Sequence, residues 1–345
     1  MRVRVLVTGS NGYIGSVMMI VLQEAGHEPV GLDTYFFEDC LFTKDLQSYS
    51  TIRKDIRDVE IEELRGFDAV VHLAALCNDP LGDLNADWTY DINHAASYRL
   101  AKMAKEAGVQ RFLYSSSCSM YGTAGDELVT EQAALRPLTP YAISKVRTEE
   151  DISRLADESF SPVFMRNATA YGVSSHLRAD VVLNNLVCWA YTTGKVRIMS
   201  DGTPWRPIVH IEDIAGAFAA CMVAPREAIH NQAFNVGVNS ENYQVRDLAN
   251  IVQQIVPGCE VEFAGKGGPD PRDYRVDFSK LELMLPEFKP KWNATLGAVE
   301  LYEACRQVKL KLEDFQGRKF IRLTQLRHLL DGDLLDETLR WRNRN

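Results

Sequence analysis

The chain has no C-x-x-C pair, no histidines at metal-ligand spacing and no apolar stretch that approaches a membrane span, and each absence argues against a class of protein. Its seven cysteines (Cys40, Cys77, Cys118, Cys188, Cys221, Cys259, Cys305) are odd in number and widely scattered. That pattern fits reduced thiols in a cytoplasmic protein better than a disulfide frame or a zinc site. The apolar runs fall short of the ~18 residues that cross a bilayer. The start, Met1 to Val7, enters a glycine turn without the apolar segment and cleavage site of a secretory leader. An excess of positive charge is missing as well: 38 Lys and Arg face 47 Asp and Glu, for a net charge of −9. Such a surface repels nucleic acid and anionic lipid. What is present is ordinary for a soluble protein: 345 residues, 46% apolar and 25% charged. That suffices for a large core and about two domains of roughly 150 residues, and excludes disorder as the main state.

Val3 to Val7 reads as a strand, Thr8 to Gly15 as a glycine turn and Ser16 to Ala25 as a helix ending at Gly26. Further strand candidates are Pro29 to Leu32, Ala69 to Leu73 and Arg111 to Ser115, with helix-like segments between them, notably Tyr90 to Ala107. Strands alternating with helices predict an α/β fold whose parallel sheet is covered on both faces. Beyond about residue 165 the pattern loosens, with Gly and Pro clusters at Ser200 to Pro207 and Gly265 to Pro271, and a smaller substrate-binding half is expected there.

Gly9, Gly12 and Gly15 follow a strand and open a helix. Glycines at this spacing let backbone approach a pyrophosphate and aim helix N–H groups at it. Asp33 ends the second strand about 18 residues later, where a carboxylate accepts both ribose hydroxyls of adenosine and repels a 2′-phosphate. With Thr34 and Tyr35 supplying no cation, NAD is favoured over NADP.

Tyr141 and Lys145 stand four apart just after Thr139-Pro140, a helix cap and first turn, and so share a face. A lysine cation one turn away and a positively charged nicotinamide both favour the phenolate, turning a weak acid into a base. Upstream, Tyr114 to Gly122 is a hydroxyl-rich end to a buried strand, the place where α/β proteins build sites.

The ordered set Thr8-Gly9-x-x-Gly12-x-x-Gly15, Asp33, Asp55-Ile56-Arg57-Asp58, Val71-His72-Leu73-Ala74-Ala75, Asn93, Ser115-Ser116-Ser117 with Tyr121-Gly122, and Tyr141-x-x-x-Lys145 resembles the extended short-chain dehydrogenase/reductase family. Within it, the set is similar to the NAD-dependent epimerases and dehydratases of nucleotide sugars. The resemblance implies a Rossmann-type doubly wound parallel sheet over 1–165, with a return of about 205–225, and a smaller C-terminal α/β substrate domain over 166–345. It implies a cofactor site of Gly9, Gly12, Tyr13, Ile14, Gly15, Asp33, Asp55, Ile56, Leu73, Ala74, Ala75, Asn93, Ser115, Tyr141 and Lys145. Tyr141 is expected as the base, Lys145 on the nicotinamide ribose and Ser117 as the hydroxyl partner. It further implies a homodimer through the helices Tyr90 to Ala107 and Tyr141 to Ser159.

Dehydratases of this family resemble Thr-Asp-Glu where this chain has Ser117-Cys118-Ser119. Without that acid–base pair, the expected chemistry is C4 epimerisation through a transient 4-keto sugar, part of carbohydrate biosynthesis. Cys118 is a core filler or, in an unusual elimination, an acid. A dehydratase or ketosugar reductase is the alternative, and a non-catalytic dinucleotide sensor a further one. For a nucleotide-diphosphate sugar, the resemblance offers Arg206 and Arg272 on the diphosphate, with Arg275 competing. Thr169 replaces the usual asparagine, and Asn184 or Asn185 compensates. Lining by Ser117 and Cys118 completes the expected substrate set, with no metal. The stretch Arg318 to Asn345 lies outside the resemblance; Phe320, Leu323, Leu326 and Leu330 predict a docked amphipathic helix with its basic face solvated.

Overall fold

The computed structural model describes residues 2–43, 49–77, 79–265 and 272–342. Six residues of the predicted Gly265 to Pro271 cluster, 266–271, lie outside them, as do Met1 and the last three residues of the C-terminal stretch.

Seven parallel strands form the central sheet: β1 (Arg4–Thr8), β2 (Glu28–Asp33), β3 (Thr51–Arg53), β4 (Ala69–His72), β5 (Arg111–Ser117), β6 (Ser161–Asn167) and β7 (Gln232–Val236). Their order is β7-β6-β5-β4-β1-β2-β3. Adjacent residues of one strand serve opposite faces. Leu113 packs with Val5, Val7, Met18 and Phe218 on one side, and Phe112 and Tyr114 pack with Leu6, Val70 and Leu100 on the other. Both faces are apolar because both are covered, which is why β4 is buried throughout and does not alternate. The direction of winding reverses between β1 and β4, and their carboxyl ends open a crevice where α/β proteins bind ligands.

Helices α1 (Tyr13–Glu24), α2 (Ser97–Glu106), α3 (Pro140–Ser153), α4 (Val182–Thr193), α5 (Ile211–Val223), α6 (Ala294–Val308) and α7 (Arg322–Asp331) cover the sheet or build the second region. A π-helical stretch, Tyr90–Ala96, leads into α2 within the predicted helical segment. Helix α5 packs on α1, and β7 completes the sheet from beyond the predicted 205–225 return. Short sheets stand over the crevice: Thr169–Tyr171, Trp205–His210 and Asn242–Gln244 form one, and Thr123–Val129 pairs with Asp273–Val276. The C-terminal stretch crosses back. Leu326, Leu329, Leu335 and Leu339 are buried in the same cluster as Phe36 and Ile56 of the sheet region. Contrary to the expectation of a solvated basic face on α7, Arg322 is only 1% exposed.

No helix among the described residues is long and apolar enough to cross a membrane, and none of the His, Cys, Asp and Glu among them cluster as a metal site.

Candidate active site

The crevice widens into a cavity of about 1000 Å³. At its floor the chain turns from β1 into α1 with almost no clearance. Gly9 takes φ +74°, and a Cβ on it would lie 2.8 Å from the Ala74 nitrogen; one on Gly15 would lie 2.0 Å from the Gly9 carbonyl. Gly12 caps α1 without a side-chain acceptor, so the first N–H groups of the helix remain for an anion. Gly9, Gly12, Tyr13, Ile14 and Gly15 all line the cavity. The Tyr13 hydroxyl donates to the Gly172 carbonyl (2.8 Å) and accepts from Asn184 Nδ2 (2.9 Å), tying the floor to the second region.

Asp33 is aimed by backbone: its two oxygens accept the N–H groups of Asn11 (2.9 Å) and Tyr35 (2.7 Å). Burial raises its pKa, opposed by those two donors and by the Arg322 and Arg53 charges. Arg53 is itself held by Glu38 and stacked 4.2 Å from the centre of the Tyr35 ring. Asp55 and Ile56 form the next stretch of wall, with Asp55 accepting from the Arg57 nitrogen (2.8 Å) and paired to its guanidinium (2.7 Å). Leu73, Ala74 and Ala75 continue it. Asn93, expected at the cofactor, stands behind this wall instead. Its side chain accepts from the Leu76 nitrogen (2.8 Å) and donates to the Leu76 carbonyl (3.1 Å), so it positions the loop and does not line the cavity.

Tyr141, Lys145, Ser115 and Ser117 meet at the opposite side. Thr139 caps α3 by accepting from the Ala142 nitrogen (3.2 Å), and Pro140 opens it. Lys145 Nζ donates to the Ser115 carbonyl (2.6 Å), 5.6 Å from the centre of the Tyr141 ring. Burial pushes the lysine down to about 8. Burial also raises the phenol, as do Cys77 and Asp79, while a hydrogen bond with Ser117 and the charge of Arg178 oppose the rise. In the protein alone, burial outweighs the lowering expected from Lys145. Helix α3 is anchored by a buried pair that sequence reasoning missed. Arg166 bonds Glu149 at 2.7 Å and also donates to the Tyr121 hydroxyl (3.1 Å), which in turn donates to Asn235 (2.6 Å).

Of the predicted substrate residues, Ser117, Thr169, Asn185, Arg206 and Arg272 line the cavity. Asn184 does not: it serves Tyr13 and accepts the Gly172 nitrogen (3.1 Å). Arg272 pairs with Asp79 (2.9 Å), whose other oxygen accepts from Thr139 (2.6 Å), and Arg206 donates to the Arg272 carbonyl. Arg275 stacks over Trp205 at 5.1 Å. Cys118 is turned into the core, donating to the Arg166 carbonyl at 3.0 Å, and burial raises its thiol far above the ordinary range. The cavity also holds residues that sequence reasoning did not single out: Arg178, paired with Asp180 (2.8 and 3.0 Å), Asn167 and Arg322. An Arg-x-Asp pattern just past Tyr171-Gly172 was the available signal for the first pair; nothing local marks Arg322.

The cavity suits a dinucleotide on two counts. The glycine turn lines the cavity and opens α1 there with its first N–H groups uncapped by any side chain. Ser116 Oγ, Ser119 Oγ, Asn167 Oδ1 and Arg322 Nη1 are buried without hydrogen-bond partners among the described residues, and all four residues line the cavity. Buried groups of this kind cost about 1–3 kcal/mol each until a ligand takes them.

A doubly wound sheet with this turn, an acid ending its second strand and a buried Tyr-x-x-x-Lys helix defines a dinucleotide-binding protein of the extended short-chain dehydrogenase/reductase class. More particularly, the chain belongs to the NAD dependent epimerase/dehydratase family, whose model matches residues 5–237. It is 29% identical over 294 residues to the UDP-glucose 4-epimerase of Mycolicibacterium smegmatis, covering 82% of this chain and 92% of that one. To the dTDP-D-glucose 4,6-dehydratase of Mus musculus it is 27% identical over 264 residues, 73% of each. The structure of MoeE5 in complex with UDP-glucuronic acid and NAD superposes with a TM-score of 0.76 at 26% identity, over 88% of this chain and 99% of that one.

Proposed function

We propose that this protein is an NAD-dependent epimerase of a nucleotide-diphosphate sugar, inverting C4 through a transient 4-keto sugar. The observation that carries the choice over dehydration is the arrangement of Ser117-Cys118-Ser119. Ser117 and Ser119 line the cavity while the thiol between them is spent on the Arg166 carbonyl. Asp79, whose charge reaches the phenol, has both oxygens engaged by Arg272 and Thr139. Among the described residues, no uncommitted carboxylate therefore stands beside Tyr141, and the Cys77 thiol, which lines the cavity there, accepts from Arg178 (3.5 Å).

Bound NAD supplies the exchange of a hydride with the sugar carbon. Tyr141 takes the proton of the sugar hydroxyl and later returns it. Ser117 hydrogen-bonds the same oxygen and helps hold the phenol in line. Lys145, fixed on the Ser115 carbonyl, orients the ribose and contributes the positive charge that a phenolate requires. The glycine turn, Asp33, Asp55, Ile56, Leu73, Ala74, Ala75 and Ser115 hold the dinucleotide, with Asn93 acting through the loop it clips. Thr169, Asn185, Arg206 and Arg272 take the nucleotide sugar, the two arginines on its diphosphate. Residues 1–165 with the return of α5 and β7 form the cofactor domain, and most of 166–345 forms the substrate domain. We assign the protein to cytoplasmic carbohydrate biosynthesis as a homodimer through the segments Tyr90 to Ala107 and Tyr141 to Ser159.

Mass spectrometry of the product formed from a panel of UDP- and dTDP-hexoses tests the reading. An isomer of unchanged mass, formed without net production of NADH, is expected. Loss of water from the sugar would establish the dehydratase, and net oxidation or reduction of the cofactor would establish the reductase.

A further inference from the structure

Arg322 is the first residue of α7 and comes from the C-terminal stretch, beyond the 5–237 that the family model matches. It is 1% exposed and lines the cavity. Nη2 donates to the His176 carbonyl at 2.6 Å, and the guanidinium lies 4.5 Å from the centre of the Phe37 ring. Nη1 is buried with no hydrogen-bond partner among the described residues. The nearby carboxylate of Asp180 is paired at both oxygens with Arg178, whose own charge opposes that of Arg322. A buried cation facing another cation, with donors left over, is costly unless an anion joins it.

The surroundings indicate which anion. Arg322 borders the wall formed after β2: its charge reaches Asp33, and Phe36 and Phe37 line the cavity beside it. The C-terminal stretch grips that same segment at several further points. Gln325 donates to the Phe36 carbonyl (3.0 Å), Trp341 Nε1 donates to the Thr34 carbonyl (2.7 Å), and the Trp341 ring packs on Phe36 at 5.8 Å. Arg206, by contrast, belongs to the strand Trp205–His210, and Arg272 immediately precedes the strand Asp273–Val276, on the proposed sugar side.

We propose that the C-terminal stretch completes the cofactor site, with Arg322 giving its Nη1 hydrogens to the diphosphate of the bound dinucleotide and the contacts at Thr34, Phe36 and Phe37 holding it there. The glycine turn then binds that diphosphate with backbone N–H groups from the floor, and a guanidinium reached by a chain-end strap closes on it from the other side. This rests on the NAD reading above.

Titrations of NAD, ADP-ribose, adenosine and UDP into the full-length protein, freed of carried cofactor, separate the cases. Arg322→Leu should weaken NAD and ADP-ribose equally, about 10- to 100-fold, the loss expected for a buried charge-assisted hydrogen bond. Adenosine and UDP should bind as they do to the unmodified protein. Arg322→Gln keeps a donor for the His176 carbonyl and removes the charge; it should show the same loss, and it carries the test if the leucine variant does not fold. Unchanged NAD affinity in the folded variants would overturn the proposal. So would an equal loss for adenosine, which marks a packing role, or a loss confined to UDP, which moves Arg322 to the substrate. Failure of the unmodified protein to bind NAD would be read in the same titration and would overturn the function itself.

Discussion

At the glycine-turn end of the cavity the wall is backbone. Gly9 packs against Ala74, Gly15 against the Gly9 carbonyl, and Asp33 is aimed by two N–H groups from residues at most 22 positions away. At the end lined by Arg206 and Arg272 the wall is side chains gathered from far apart: Arg272 reaches Asp79, and Arg206 reaches the Arg272 carbonyl. The first kind of wall tolerates little change, because backbone cannot move aside for a methyl group. The second can be rebuilt one side chain at a time, which is how one fold serves many sugars.

Tyr141 sits where the two ends meet, and its substitution should show the largest effect. Tyr141→Phe should lower turnover by about 10³–10⁴-fold while leaving NAD affinity unchanged, since only the proton-accepting oxygen is lost. Steady-state rates with a parallel NAD titration check this. A coupled loss of affinity would mean that the tyrosine belongs to the cofactor end alone.

The support beneath that meeting point should be next. Glu149→Gln leaves Arg166 buried and without its carboxylate, and should destabilise the protein by about 3–5 kcal/mol in urea unfolding. A cost below 1 kcal/mol would show that α3 is held to the sheet by packing alone. Ser117→Ala should cost about 10²–10³-fold in turnover, by analogy with removal of one oxyanion donor, and about 1 kcal/mol of stability, because the hydroxyl also caps the Ser119 nitrogen (3.1 Å).

Lys145 sharpens the contrast by linking function to instability. Its ordinary pKa of 10.5 is pushed down to about 8 by burial. Below pH 8 both folded and unfolded chains carry the charge, so the folded one bears the full penalty; above 10.5 neither carries it. Stability of the cofactor-free protein should therefore rise as pH climbs through that window, by about 3 kcal/mol. Lys145→Met should be the more stable protein at pH 7, and the pH-dependent gain should vanish in the variant. Thermal melts from pH 7 to 10.5 read both.

Sequence made the two ends unequally legible, for the same physical reason. The glycine spacing, Asp33 and the Tyr141/Lys145 pair are local patterns, tied to a turn or one helix face, and the strands they adjoin reveal themselves as apolar runs. Arg322 and the Arg166–Glu149 pair become meaningful only when α7 and β6 are brought to their neighbours, and no spacing in the chain encodes that. Cys118 and Asn93 illustrate the complementary error. Each stands beside residues that line the cavity, yet a strand end and a helix each turn one side chain in and the next away, so adjacency placed them one layer too close. The C-terminal stretch read correctly as an amphipathic, docked segment through Leu326, but the same pattern counted Arg322 among the solvated charges.

The central claim is that hydride moves away from and back to one sugar carbon with no other carbon–hydrogen bond broken. It is tested most directly by running the reaction in deuterium oxide and examining the product by NMR. A product inverted at C4 that carries no carbon-bound deuterium is expected. Deuterium at C5, with or without loss of water, would contradict it and require a second acid or base beside Tyr141.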